Sequence, residues 1–393
     1  MHQRKPLLLY GTHFLATKLS CLLLPLLLFN ACNNTEGDVE PPVVEVEVPL
    51  KIKDYALDKG VWFGMAYDIS SDSTNRAIFE TEVNAGQVGW YPAWGGWNGR
   101  DLYDFSELNE EINYVDAQGH PIMMHMLFGP DTYLPDWFKD GNWSQEEMET
   151  MMHDLVRNVF QANDNGSKVE VWNVVNEAIS WDGDEWESSK WLEMGFEADA
   201  SGLTGTDKVF DSIPVYVTKA FEFAGLYTNK GLELRDYLND GLESRWNNSE
   251  LRTKSFYQLA LHLVNSGAPI NAVGFQGHLN IDVPATFSRL TTTVERYKAL
   301  GLKVYITELD AEQNDQSTLW NSSIASAQAE YYYNYVKAAL DGGVDGIFTW
   351  GIRDNQDPWW RFDENPLLFD AEGNAKPAYF SVKQAFIDSL LPD

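Results

Sequence analysis

Cysteine is almost missing from this chain of 393 residues: there are 2, Cys21 and Cys32, and none beyond. Neither a disulfide framework nor a thiolate metal site can be built from the residues after Cys32. Histidine is sparse too, 7 in all, and none stands in an HxH or HxxxH spacing, so no metal centre is expected. Positive charge is scarce: 28 Lys and Arg against 59 Asp and Glu leave a net charge of -31. That field repels phosphate backbones and anionic head groups, which removes nucleic acid from the expected partners. Glycine-rich phosphate turns of the GxGxxG or GxxxxGK(S/T) kind are absent, and no cofactor is expected. What the chain does hold is apolar substance, 44% hydrophobic and 13% aromatic. A large core can therefore form, in one big domain or two ordinary ones.

The first residues are of another kind. Arg4 and Lys5 precede the apolar run CLLLPLLLF (21–29), too short to cross a bilayer but suited to the core of an export signal. Its end, FNAC, resembles the lipobox of bacterial lipoproteins, with Ala31 before Cys32 and Phe29 in the usual place of leucine. Residues 1–31 are thus expected to be a signal peptide and Cys32 a lipidation site; ordinary cleavage near Ala31 is the alternative. Residues 32–54 are polar, acidic and proline-containing and read as a flexible tether, leaving 55–393 as one folded domain. The expected location is outside the cytoplasm, anchored at an outer membrane or cell surface, or else periplasmic or secreted. Membrane contact is expected only through the lipid, and a monomer is expected.

From about Leu57 onward, short apolar runs alternate with amphipathic stretches. The runs are VWFGMAYD (61–68), QVGWYPA (87–93), PIMMHMLF (121–128), VEVWNVVNE (169–177), ELRDYL (233–238), AVGFQGHL (272–279), KVYITELD (303–310) and GIFTWGIRD (346–354). Helices are predicted over 105–119, 144–163, 284–301 and 323–343, with a capping box from Ser144 and Glu147 and C-terminal caps at Gly119, Gly301 and Gly342. Eight buried strands alternating with helices predict an α/β fold of the (β/α)8 TIM barrel type, whose parallel strands read as nearly continuous apolar runs. An open doubly wound sheet is the competitor, and the lack of a phosphate turn speaks against it.

Barrel chemistry gathers at the carboxyl ends of strands. Glu177 ends the fourth run and Glu308 lies near the end of the seventh, three βα units later at about 44 residues per unit. Two carboxylates facing each other across a barrel mouth suit glycosidic hydrolysis, one holding a proton for the leaving oxygen and the other ionised to attack the anomeric carbon. Burial beside Trp172 and Trp181 would favour the protonated form of Glu177. Asp310, two residues from Glu308 and so on the same strand face, and His278 could bond around an ionised nucleophile.

The segments WNVVNEA, GFQGHL, VYITELD, FTWGIRD and PLLFDAEGNAKPAY, in chain order over roughly 55–390, resemble the successive signatures of glycoside hydrolase family 10, the endo-β-1,4-xylanase family. The resemblance implies Glu177 as acid/base and Glu308 as nucleophile of a retaining double displacement on a polysaccharide. It further implies that Asn176 bonds the sugar 2-hydroxyl, that Gln276 and His278 orient the nucleophile, and that Trp350 floors the cleaved subsite. It also favours site roles for His125 and the retained Tyr237.

Departures from the family pattern are equally legible. Where the family has an ENEMKW-like segment, this chain has AGQVGW (85–90), and GHTLVWH becomes MHMLFGP (124–130). Arg235 replaces an asparagine, and Arg353 a small residue. These two arginines could accept an anionic substituent on the sugar, or else pair with acidic neighbours such as Asp354 and Asp357. Of the aromatics in strand-end loops, Trp90, Tyr91, Trp94, Trp97, Trp181, Trp359 and Trp360, sugar stacking is expected from one of Trp359 and Trp360. Three functions fit these features: a xylan hydrolase, a related hydrolase of a different or substituted β-linked polysaccharide, and a surface sugar-binding lipoprotein with a degenerate site.

Overall fold

A computed structural model describes residues 50–66, 72–92, 96–243, 248–313, 319–356 and 360–391. The signal segment, Cys32, most of the tether, Trp94, Asp357 and Trp359 lie outside the described residues. Eight parallel strands carry the fold: β1 (Trp62–Ala66), β2 (Ala85–Gly89), β3 (Ile122–His125), β4 (Val171–Asn176), β5 (Gly231–Asp236), β6 (Ala272–Phe275), β7 (Lys303–Glu312) and β8 (Gly346–Thr349). Each pairs with the next, and β8 returns to β1 with Trp62 opposite Gly346, closing a (β/α)8 barrel. Every run read as a strand is one.

Helix α1 (Ile52–Lys59) precedes the barrel, and eight helices follow the strands in turn: α2 (Ser73–Glu82), α3 (Ser106–Ala117), α4 (Gln145–Gln161), α5 (Val215–Gly225), α6 (Ser249–Ser266), α7 (Ser288–Lys298), α8 (Ser322–Gly342) and α9 (Pro377–Leu390). The α1 helix begins at Ile52, inside the stretch read as tether, because Ile52 and Ala56 are buried and Lys59 bonds the Ser389 carbonyl at 2.6 Å. Ser144 and Glu147 form the reciprocal cap at the start of α4. At the end of α8 the left-handed cap is Gly343, not Gly342, which is still helical and packs its face against Val294 of α7.

Two cores result. The larger lies between strands and helices; the smaller fills the barrel's lower interior with Met123, Val171, Tyr305 and Phe348. Trp172 belongs to the first, stacked on Phe160 of α4 at 3.9 Å. It faces away from the barrel mouth, so it does not lie beside Glu177. Trp90 and Trp97 are also core residues, 5% and 1% exposed. Two glycines make interior room: a Cβ at Gly64 would meet the Phe348 ring at 2.3 Å, and one at Gly274 would meet Glu233 Oε1 at 1.8 Å. Register shifts in β4, between Asn173 and Val175, and in β7, between Ile306 and Leu309, occur just below the two strand ends that carry carboxylates.

Candidate active site

A cavity of about 530 Å³ opens at the carboxyl ends of the strands, with Glu177 and Glu308 both in its wall. Glu177 follows β4 with φ at 52°, a left-handed conformation rare for a residue with a side chain. Arg252 of α6 supports this turn by donating to the carbonyls of Ile179 and Ser180 and pairing with Asp236. Burial pushes the Glu177 carboxyl up to about 7, against a hydrogen bond from Gln276 Nε2 at 2.8 Å and with help from the charge of Glu308. The Gln276 side chain therefore bonds Glu177 rather than Glu308, whose backbone N–H donates to the Gln276 carbonyl.

Asn176, the residue before, is fully buried, and its Nδ2 has no hydrogen-bond partner among the described residues. A buried donor without a partner costs roughly 1–3 kcal/mol, which a ligand hydroxyl would offset.

Glu308 has very different surroundings. His278 Nε2 lies 3.1 Å from Oε2, and Arg235 Nη1 donates to Oε1 at 3.0 Å. Burial alone would raise this carboxyl, but the His278 hydrogen bond and the charges of Arg235 and His278 hold it at about 2. His278 in turn contacts Asp310 at 2.9 Å through Nδ1; burial works against its charge, yet Asp310 and Glu308 raise it to about 9. Asp310 also accepts from Trp360 Nε1 and from Arg361, both at 2.7 Å, and Arg361 reaches Glu312 at 3.2 Å.

His125 of β3 is 3% exposed, and burial with the neighbouring Arg235 charge depresses it to about 3, so it is neutral. Trp350 stands edge-on to both histidines, 5.3 Å from His125 and 6.1 Å from His278. Tyr237 lines the rim beside Trp181, their rings stacked at 5.6 Å.

The structure thus brings Glu177, Glu308, His125, Gln276, His278, Tyr237, Trp350 and Trp360 into one cavity wall. Asn176 and Asp310 stand immediately behind it. Arg235 lies beneath the floor at 0% exposure. Arg353 is elsewhere, bonded to Asp72 at 2.5 Å, to Asn75 at 2.8 Å and to the Ala371 carbonyl, so among the described residues its acidic partner is Asp72 rather than Asp354. Sequence reasoning missed Arg252, Glu233 and Tyr133. Arg252 has no local signal, since it reaches in from a helix. Glu233 and Arg235, two apart on one strand, did carry a sign: residues at that spacing share a face.

A profile of glycosyl hydrolase family 10 matches residues 51–385. The chain belongs to this family. An endo-1,4-beta-xylanase B of Neocallimastix patriciarum is 27% identical over 297 residues, 75% of this chain and 30% of that one. An endo-1,4-beta-xylanase 1 of Humicola insolens is 27% identical over 72% of this chain and 60% of its own. The family 10 chain described here therefore spans less than two thirds of both relatives. Against an endo-1,4-beta-xylanase B of Thermotoga neapolitana, 26% identical, the shares are 74% and 77%. Among solved structures, xylanase 10B of Thermotoga petrophila RKU-1 in complex with xylobiose superposes with a TM-score of 0.74 at 22% identity, covering 88% of this chain and 99% of that one. At that identity the likeness speaks for the fold.

Proposed function

We propose that this family 10 protein is a retaining hydrolase of β-1,4-linked xylan or a close relative of xylan. The observation that carries the proposal is the split between two carboxyls at one cavity wall, Glu177 pushed up to about 7 and Glu308 held at about 2. Between those values one is protonated and the other ionised, which is the division of labour that double displacement needs. Glu177 gives its proton to the glycosidic oxygen as Glu308 attacks the anomeric carbon, and the aglycone leaves. Glu177, now ionised, takes a proton from water, which attacks the same carbon and frees Glu308. Neutral His125 and the partnerless Nδ2 of Asn176 are suited to hold hydroxyls of the reacting sugar.

Carboxylates outnumber cations in the cavity wall, with Asp240, Glu243 and Glu312 beside the reacting pair and Arg361 committed to Asp310 and Glu312. This favours an uncharged sugar over the anionic substituent that Arg235 and Arg353 suggested, since neither arginine lines the cavity. Ala85, Gly86 and Gly89 offer no polar side chain to grip a neighbouring sugar, which keeps a different β-linked backbone as the second reading. Reducing-sugar release from a panel of neutral and uronate-bearing polysaccharides, by wild type and Glu308→Ala, tests the proposal. Equal inertness of both proteins would favour a sugar-binding lipoprotein instead. An α-configured first product from a β-linked substrate would exclude retention.

Export and lipidation at Cys32 belong to the same reading and rest on the leader sequence. In a bacterial host, Cys32→Ala should move the protein from the membrane fraction to the soluble one.

A further inference from the structure

Seven charged groups alternate in sign across the barrel mouth: Glu233, Arg235, Glu308, His278, Asp310, Arg361 and Glu312, with successive contacts of 3.0, 3.0, 3.1, 2.9, 2.7 and 3.2 Å. Arg235 is the member that touches most. Its Nε and Nη2 form a two-pronged bond to Glu233, each at 3.0 Å. Nη2 also reaches Gln87 Oε1 at 3.2 Å, while Nη1 divides between Glu308 Oε1 at 3.0 Å and His125 Nδ1 at 2.9 Å. The space for Glu233 is made by Gly274, where any Cβ would collide with its carboxylate.

We infer that Arg235 is the positioning residue of this site, holding Glu308 ionised and His125 in a single tautomer, and that Glu233 is present to balance its charge. A guanidinium can only donate, so Nδ1 of His125 must accept and its proton must sit on Nε2. His125 is thereby left with one donor, at Nε2, and no charge to compete with Glu308. Two carboxylates and one imidazole are served by one planar fork, a geometry that lysine cannot reproduce. Glu233 answers a second need. Without it, Arg235 would carry its charge in the interior with only Glu308 to neutralise it, and the attacking carboxylate would be bound too tightly to leave it.

Glu308 is faced by Arg235 from β5, His125 from β3, His278 from beyond β6 and Glu177 from β4, with Glu233 and Asp310 behind the two cations. The inference rests on Glu308 being the nucleophile, and its test separates the two questions. In full-length protein carrying 13C-labelled glutamate, the Glu308 carboxyl titration reports on Arg235 whether or not any substrate is cleaved. With Arg235→Gln its midpoint should rise by at least about one pH unit, and the acid limb of kcat/KM should rise with it while the basic limb set by Glu177 stays. Arg235→Lys should recover that limb in part, but not the His125 tautomer seen by 15N chemical shifts.

Glu233→Gln should lower thermal stability without raising the Glu308 midpoint. The double variant Glu233→Gln/Arg235→Gln removes the unpaired buried carboxylate, so it should fold better than Arg235→Gln and still show the raised midpoint. It supplies the reading if the single variant fails to fold. An unchanged Glu308 midpoint in both Arg235→Gln backgrounds overturns the inference, as does an activity loss uniform across pH. If the functional reading is what fails, wild type and Glu308→Ala release equally little sugar while the titration still answers for Arg235.

Discussion

The two sides of the barrel mouth treat the same functional group in opposite ways. On the β4 side, Glu177 accepts from the Gln276 amide and, among the described residues, has no cation in contact. On the β7 side, Glu308 touches an arginine and a protonated histidine, each backed by its own carboxylate. The first environment withholds compensation for charge and so keeps a proton; the second supplies it and keeps the proton away. The opposite protonation preferences are made by neighbours, since the side chains themselves are identical.

The contrast is broken most severely by removing either carboxylate. Glu308→Ala should lower kcat on the order of 10⁵-fold, measured by reducing-sugar release, because the proposed covalent intermediate could not form. Glu177→Ala should lower it about 10²–10⁴-fold on polysaccharide, but far less on aryl glycosides with good leaving groups, and its pH profile should lose the limb near 7. An equal loss on both substrate types would mean that Glu177 is not the acid.

Smaller changes sharpen the contrast. Asn176→Ala should cut kcat by roughly 10²-fold while calorimetry shows only a small fall in Tm, since the amide it removes has an unpaired Nδ2 and a single long bond, 3.4 Å, from Gln276 to its Oδ1. Glu177→Gln tests the charge environment through stability. The carboxyl sits above its ordinary value in the folded protein, so its proton stabilises the fold below the usual carboxylate range, and that contribution is lost as pH rises through about 7. The variant should therefore gain on wild type between pH 5 and pH 8, on the order of 1 kcal/mol. Smallest of all, Arg353→Ala should change kcat/KM by less than about 2-fold, equally on plain and uronate-bearing oligosaccharides, because its partners Asp72 and Asn75 lie away from the cavity. A loss confined to the charged substrate would restore the anion-binding role.

Much of this is legible in the chain because the relevant physics is local. Strands buried on both faces leave unbroken apolar runs, and all eight are readable. The Ser144 to Glu147 cap needs only three residues of spacing. Where contacts come from afar, sequence and structure part. Trp172 is next to the site in sequence but turned outward onto Phe160, because the strand's alternation and the register shift beyond Asn173 decide which face each residue joins. The family pattern assigns Gln276 to the nucleophile, yet its side chain reaches across to Glu177. Arg235, the residue that departs from that pattern, suggests a ligand contact, but it is a buried partner of Glu308 and Glu233.

By itself the sequence determined the order of the strands, four of the helices around them, a barrel as the favoured way to close them, and the two strand ends that bear glutamates. Periodicity, chain-end chemistry and motif spacing are properties of neighbours along the chain. The tertiary structure alone decided which glutamate keeps its proton, which arginine faces a carboxylate rather than solvent, and which tautomer His125 must adopt. Those outcomes depend on charges brought within about 3 Å from different strands of the barrel, where a low dielectric makes each placement count.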